Sequence, residues 1–145
     1  MAQQKELQIK YRLQKIKIIN FNFNIQDDKN VNFDQLYIET ILKQNIDIDK
    51  EFIIITLGIH VFTDESHKDL LCTLTVEFSF HTIGIKDVKK NGDQLKIPND
   101  FILSLVSISY STCRGIFFEK CASTCLSNLI LPLINPRDLL PKEEN

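Results

Sequence analysis

The chain has no tryptophan, one methionine, four glycines and four prolines among its 145 residues. So few glycines leave little material for a loop that cradles phosphate. Neither a G-x-x-x-x-G-K-[ST] nor a G-x-G-x-x-G pattern occurs, which argues against nucleotide chemistry. There is no surplus of positive charge either, because the formal net charge is -2. That balance excludes the basic face by which nucleic acid is held. No apolar run approaches the roughly 18 residues of a membrane span. The first residues, "MAQQKELQIKYRLQK", lack the apolar centre of a signal peptide. The expectation is a cytoplasmic protein with neither a nucleic-acid partner nor a membrane span.

Cysteine is present but not in a metal-binding pattern. The four cysteines are Cys72, Cys113, Cys121 and Cys125, with no C-x-x-C, and the three histidines are scattered on other segments. Zinc held by Cys121 and Cys125 is weighed and set aside, because zinc sites favour other pairings. The expected role of these thiols is that of small buried hydrophobes in a reducing compartment, with no metal and no cofactor.

What the sequence does have is alternation. At 43% hydrophobic and 25% charged residues, its composition is that of one globular domain. Residues 1–10 read as a polar arm and residues 141–145 as a polar tail. In "IINFNFNI", Ile19, Phe21, Phe23 and Ile25 alternate with asparagines, a period of two that predicts a strand. "LYIETIL" is a second strand, ended by "KQNIDID". "EFIIITLGIHVF" is apolar on both faces for most of its length, so it is expected to be central and covered on two sides. In "LLCTLTVEFSFHTIGI", Leu70, Cys72, Leu74, Val76, Phe78 and Phe80 share one face. Six apolar positions span about 33 Å at the usual strand rise, which suggests that part of this face meets another subunit.

From Asp100 onward two patterns compete. "LVSISYST" alternates and is rich in strand formers, yet "IPND" is a good helix start. Counted as a helix, Ile102, Leu105, Val106, Cys113, Ile116, Phe117 and Cys121 form a stripe interrupted only by Ser109. Length favours the helix, since the segment far exceeds an ordinary strand. Four strands followed by a helix that must cover them predict an α+β layout.

One motif suggests catalysis. "YSTCRG" resembles the nucleophile strand of a caspase-type cysteine protease, whose pattern is Q-A-C-[RQG]-G with a histidine about 50 residues upstream. His60 meets that spacing from Cys113. The match covers only Cys-Arg-Gly, and His60 falls inside a strand. A cysteine hydrolase using Cys113 is therefore the remote alternative, and the chain is not expected to be an enzyme.

The order of features resembles the SecB family of export chaperones over residues 11–140. "YRLQKIKIINFNFN" follows the family's first strand, with Tyr11, Leu13, Ile16, Phe21 and Phe23 in its spacing. "LLCTLTVEFSFHTIGI" is similar to its fourth strand. The Pro-Asn helix start, Arg114 near mid-helix, the small residues Ala122 to Thr124, and Leu129, Leu131, Pro132, Ile134, Asn135 and Leu139 match its C-terminal signature. The resemblance implies a four-stranded antiparallel sheet with a long helix on one face, assembled as a dimer of dimers. It also implies an ATP-independent holdase that binds unfolded polypeptides or preproteins in hydrophobic grooves. Groove candidates are Phe21, Phe33, Ile38, Phe117, Leu126 and Leu129. Candidates for the subunit interface are Leu70, Cys72, Leu74, Val76 and Arg114, the last expected to pair with a carboxylate or with backbone carbonyls. Familiar SecB proteins are strongly acidic and carry a tail that engages the SecA motor. With a charge of -2 and the ending "PKEEN", the resemblance supports a SecB-like chaperone or fold more than delivery to SecA. A chaperone dedicated to one antitoxin is the alternative within the family.

Overall fold

A computed structural model of the chain describes residues 9–24, 32–87, 90–91, 94–95 and 97–140. Four long strands make one antiparallel sheet: β1 (Lys10–Phe23), β2 (Tyr37–Asp47), β3 (Phe52–Phe62) and β4 (Leu70–Ile83). Their spatial order is β1-β4-β3-β2. Two hairpins join β2, β3 and β4, and the chain between β1 and β2 crosses from one edge of the sheet to the other. A two-stranded ribbon, β5 (Lys90–Asn91) and β6 (Gln94–Leu95), precedes the helix α1 (Asn99–Lys120). The α+β architecture expected from the pattern is the one observed. The expected arm lies outside the described residues up to residue 8, as do Ile25 and the tail 141–145.

β2 runs five residues beyond the strand read from the sequence. Lys43 to Asp47 stay paired with Thr56 to Phe52, although they are mostly polar. The reason is the turn that follows. Asp47 accepts the backbone N–H of Lys50 at 3.1 Å and Glu51 takes the left-handed conformation, which closes the hairpin only beyond Asp47. At the second hairpin, Asp64 accepts the Ser66 N–H at 2.9 Å and His67 is left-handed.

The core lies between the inner face of the sheet and α1. On β3 the residues Ile53, Ile55, Leu57, Ile59 and Val61 are fully buried, and on β4 Cys72, Leu74, Val76, Phe78 and Phe80. Register stacks them in rows that cross the sheet, such as Phe23–Cys72–Val61–Ile38 and Leu13–Phe80–Ile53–Ile46. Each fully buried Ile, Leu or Phe contributes about 1.5–3 kcal/mol. α1 answers with Ile102, Leu105, Val106, Tyr110, Cys113 and Phe117. Ser109 breaks the apolar stripe yet is buried, because its hydroxyl donates to the Leu105 carbonyl at 2.8 Å. Ile116 is only half-buried, at the margin of the stripe.

Two expectations change here. β3 is central in the sheet, but only its inner face is covered. Phe52, Ile54, His60 and Phe62 on the other face are half-buried among their neighbours. The long apolar face of β4 is already buried within the protomer along Cys72 to Phe80. A 22-residue helix is about 33 Å long, so α1 and the chain around it cover that face completely. α1 is, by length and composition, apolar enough to cross a membrane, although no such run was expected. Its apolar stripe is used on the sheet.

Gly115, inside α1, has nothing within 4 Å of where a Cβ would stand. An alanine fits there and removes the conformational freedom that glycine carries in the unfolded chain. Gly115→Ala is expected to stabilise the fold by about 0.5–1 kcal/mol, measured by urea denaturation.

Candidate binding surface

α1 lies over the two central strands, and its two flanks are treated differently. At 100° per residue, Tyr110 falls on the opposite side of the helix from Phe101. The Tyr110 flank is closed by the returning chain. The Tyr110 hydroxyl donates to the Pro132 carbonyl at 2.7 Å, and Arg114 Nε donates to the Leu131 carbonyl at 2.8 Å. Residues four apart on one helix face thus hold two successive carbonyls of a segment that lacks regular structure. Beyond it, the 3-10 helix Pro136–Leu139 packs on both α1 and β2. Its start is capped by Asn135, which accepts the Arg137 N–H at 3.1 Å. Arg114 therefore finds the expected carbonyl partner, inside its own protomer.

The Phe101 flank faces β1. Phe101 meets Tyr11 edge-on, with ring centroids 5.6 Å apart, and Tyr11 also meets Phe80 at 6.2 Å. Ile108 and Thr112 lie on the same side of the helix as Phe101 by helical count. Alongside runs the inner face of β1, where Ile16 and Ile18 keep 43% and 41% of their surface exposed. Phe21 and Leu13 are half-buried in the same row. The result is an open apolar shelf between an edge strand and a helix.

Two irregularities in β1 build this shelf. The register with β4 shifts between Leu13 and Lys15 and again between Ile18 and Asn20. Each shift adds one residue to β1, so the inward phase moves from 11 and 13 to 16 and 18, then to 21 and 23. Without them Lys15 and Lys17 would face the core. With them, Lys10, Arg12, Lys15 and Lys17 all stand on the outer face, opposite Ile83, His81, Ser79 and Glu77. Strict alternation assigns Ile19 to the same face as Phe21 and Phe23. The second shift overturns that assignment, because Ile19 is the extra residue. Alternation misses Ile16 and Ile18 as site residues for this reason. The signal available is the row of lysines, which no strand buries without a partner.

The six groove candidates do not form one surface. Phe21 and Ile38 sit at opposite edges of the sheet, three strand spacings or about 14 Å apart. Phe33 stands 50% exposed on a 3-10 turn leading into β2. Phe117 and Leu126 are fully enclosed, so they have no surface to offer a client and are corrected to core residues. Leu129 is half-buried against that core. Among the interface candidates, Cys72, Leu74 and Val76 are also wholly buried in the protomer. They cannot touch a second chain. Leu70 remains half-buried, because a shift at Val61 pairs it with Phe62 and lets Leu71 take the core position.

The proposed nucleophile fails on geometry. Cys113 lies between helix and sheet, whereas His60 is on the outer face, paired with Glu39 and Thr73. The sheet separates them. Burial also pushes the Cys113 thiol up to about 12, opposite to what a nucleophilic thiolate needs. Among the described residues no group of His, Cys, Asp or Glu is arranged to hold a metal ion.

No family model matches this chain, and no curated protein matches its sequence. The fold does have solved counterparts. A SecB-like chaperone from Mycobacterium tuberculosis, in complex with a ChAD peptide from the HigA1 antitoxin, superposes with a TM-score of 0.56. It is 8% identical, with 86% of each chain covered. A protein of unknown function from Streptococcus agalactiae is 9% identical with a TM-score of 0.46, covering 88% of this chain and 98% of its own. The likeness to the M. tuberculosis chaperone shows that the chain has a SecB-like fold.

Removing either bond to the returning chain is expected to loosen it. Tyr110→Phe should cost about 1 kcal/mol and Arg114→Met about 1–2 kcal/mol, with faster hydrogen exchange over residues 131–140. Burial raises the Tyr110 phenol, an effect the nearby Arg114 guanidinium partly offsets. Its folded value thus lies above the unfolded one. The corresponding stability is whole below about pH 10 and is lost as pH rises through the raised value. Tyr110→Phe should remove that part of the alkaline loss in denaturant titrations run across this range. Cys113 is expected to resist iodoacetamide in the native protein and to react once the chain is unfolded.

Proposed function

We propose that this protein is a SecB-like chaperone that holds unfolded polypeptides without nucleotide, along the shelf between β1 and α1. One observation carries the reading: the row Tyr11, Ile16, Ile18 and Phe21 on the inner face of the edge strand β1 lies partly open. An extended client has apolar side chains and unpaired backbone groups. The shelf offers apolar surface for the first, and the edge strand offers N–H and C=O groups for the second. The outer-face cations Lys10, Arg12, Lys15 and Lys17 keep that edge from pairing indiscriminately, since charged edges resist aggregation. Recognition of this kind depends on apolarity and extension rather than on one sequence, which suits a holdase.

A reading with one dedicated client has its own support. The M. tuberculosis chaperone of this fold was solved with an antitoxin peptide, and a similar role here would make the partner a single antitoxin-like protein. Preproteins awaiting export are the clients under the broader reading, in the cytoplasm and with a dimer-of-dimers assembly. Hand-over to SecA belongs to that reading too, and the modest net charge of -2 weighs against it.

The holdase reading predicts that the purified protein suppresses aggregation of a chemically unfolded model protein at near-stoichiometric ratio without nucleotide. Ile16→Asp with Ile18→Asp should abolish suppression while leaving the circular dichroism spectrum unchanged, because both side chains are already partly in water. No suppression by an intact wild-type protein defeats the broad reading. Capture of one protein alone from its own lysate, with no effect on the model client, supports the dedicated one.

A further inference from the structure

Positive charge in this molecule is gathered on one strand. β1 carries four of the chain's 17 Lys and Arg residues and none of its 19 Asp and Glu. Lys10, Arg12, Lys15 and Lys17 are all exposed, and the register shifts bring them onto the outer face together. They line about 20 Å of the sheet edge. Of the residues opposite them on β4, one is a carboxylate, the half-buried Glu77 across from Lys17. Yet among the described residues the ion pair within 4.0 Å is His81 with Glu51, so none of the four cations is held by an acid. Glu39 and Asp47 stand on β2, at the far edge of the sheet. A chain of net charge -2 thus presents an uncompensated cationic strip, and the apolar shelf lies on the other face of the same strand.

A strand added at this edge is read on both faces. Successive side chains of a strand point to opposite sides. In a strand paired with β1, one set falls beside Tyr11, Leu13, Ile16 and Ile18, on the shelf. The other set falls on the outer face beside the cations, where cross-strand neighbours stand about 5 Å apart at Cβ. Basic residues there would set like charge against like, and apolar ones would leave the cations unpaired. Carboxylates complete the pairs.

We propose, resting on the holdase reading of this same shelf, that the preferred client is an extended segment in which apolar and acidic residues alternate. Between the two shifts, from Lys15 to Ile18, pairing with β4 is regular, with Lys15 and Lys17 pointing out and Ile16 and Ile18 pointing in. A matching segment there has two acids two residues apart, flanked by apolar side chains. Beyond Ile18 the outer residues are Asn20 and Asn22, and the charge preference ends. A second copy of β1 is a poor occupant, because antiparallel pairing of two cationic runs sets cation against cation.

The test uses the full chain and short fluorescein-labelled peptides, read by anisotropy near neutral pH. In three peptides valine alternates with glutamate, with serine or with lysine. A fourth has the composition of the Val/Glu peptide with its valines and glutamates in separate blocks. The alternating Val/Glu peptide is expected to bind about tenfold more tightly than the Val/Ser peptide, and the Val/Lys peptide more weakly still. Raising salt from about 0.05 M to about 0.5 M should erase that order, a measurement that needs no variant. Lys15→Gln with Lys17→Gln, at two exposed positions, should remove most of the difference between Val/Glu and Val/Ser. Hydrogen exchange at residues 15–18 should slow when the Val/Glu peptide binds.

Equal binding of Val/Glu and Val/Ser, or tighter binding of Val/Lys, overturns the acidic preference and leaves the holdase reading standing. So does a failure of every peptide to bind while a model client is still held. Equally tight binding of the block peptide, or a Val/Glu preference unchanged by the glutamine exchange, overturns the readout along β1. Protection at residues 15–18 that grows with protein concentration alone makes a second copy the occupant and overturns the proposal. If no peptide binds and no model client is held, the holdase reading itself falls, and this proposal with it.

Discussion

Burial of one sheet face under one helix is the constraint from which the rest of this molecule follows. The inner faces of β3 and β4 are continuous apolar surfaces, and removing them from water is the main force that favours this fold. α1 is long enough to cover both strands but not four. The two edge strands are therefore left with inner faces that something else must cover or that stay open. The chain covers one of them, on the β2 side, by folding Leu131 to Leu139 back along the helix. Ahead of the 3-10 helix Pro136–Leu139 that segment has no regular structure to satisfy its carbonyls, and Arg114 and Tyr110 satisfy those of Leu131 and Pro132. The other edge, β1, is left partly open.

This asymmetry gives the chain a surface that can do something. A sheet covered evenly by two helices would bury Ile16, Ile18 and Phe21, and nothing apolar would be left beside an edge strand. The register shifts of β1 matter for the same reason. They let a strand with a lysine-rich middle keep every apolar side chain but Ile19 on the helix side, at the expense of two unpaired positions. The cations then collect on the outer face, where they guard the edge.

The two faces of the sheet also keep unlike chemistry apart. His60 and Glu39 stand on the outer face, while Cys72, Cys113 and Cys121 are buried in the core beneath the inner one. Spacing along the chain suggests a Cys113–His60 dyad, and a layer of backbone forbids it.

Much of the fold is legible in the residues themselves. The alternation in β4, the Pro-Asn helix start and the length of the segment after Asp100 each follow from backbone periods, and these are local properties. The sequence by itself thus determined the strands, the helix and the α+β class, and it showed that Arg114 would need carbonyl or carboxylate company. Tertiary structure alone decided which apolar residues remain accessible. Phe117, Leu126 and Val76 look no different from Ile16 and Ile18 in composition or spacing. They differ only in whether α1 and its returning chain lie above them, and that depends on strand order and register. Both arise from pairing between residues distant in sequence, where a shift of one position moves a side chain to the opposite face.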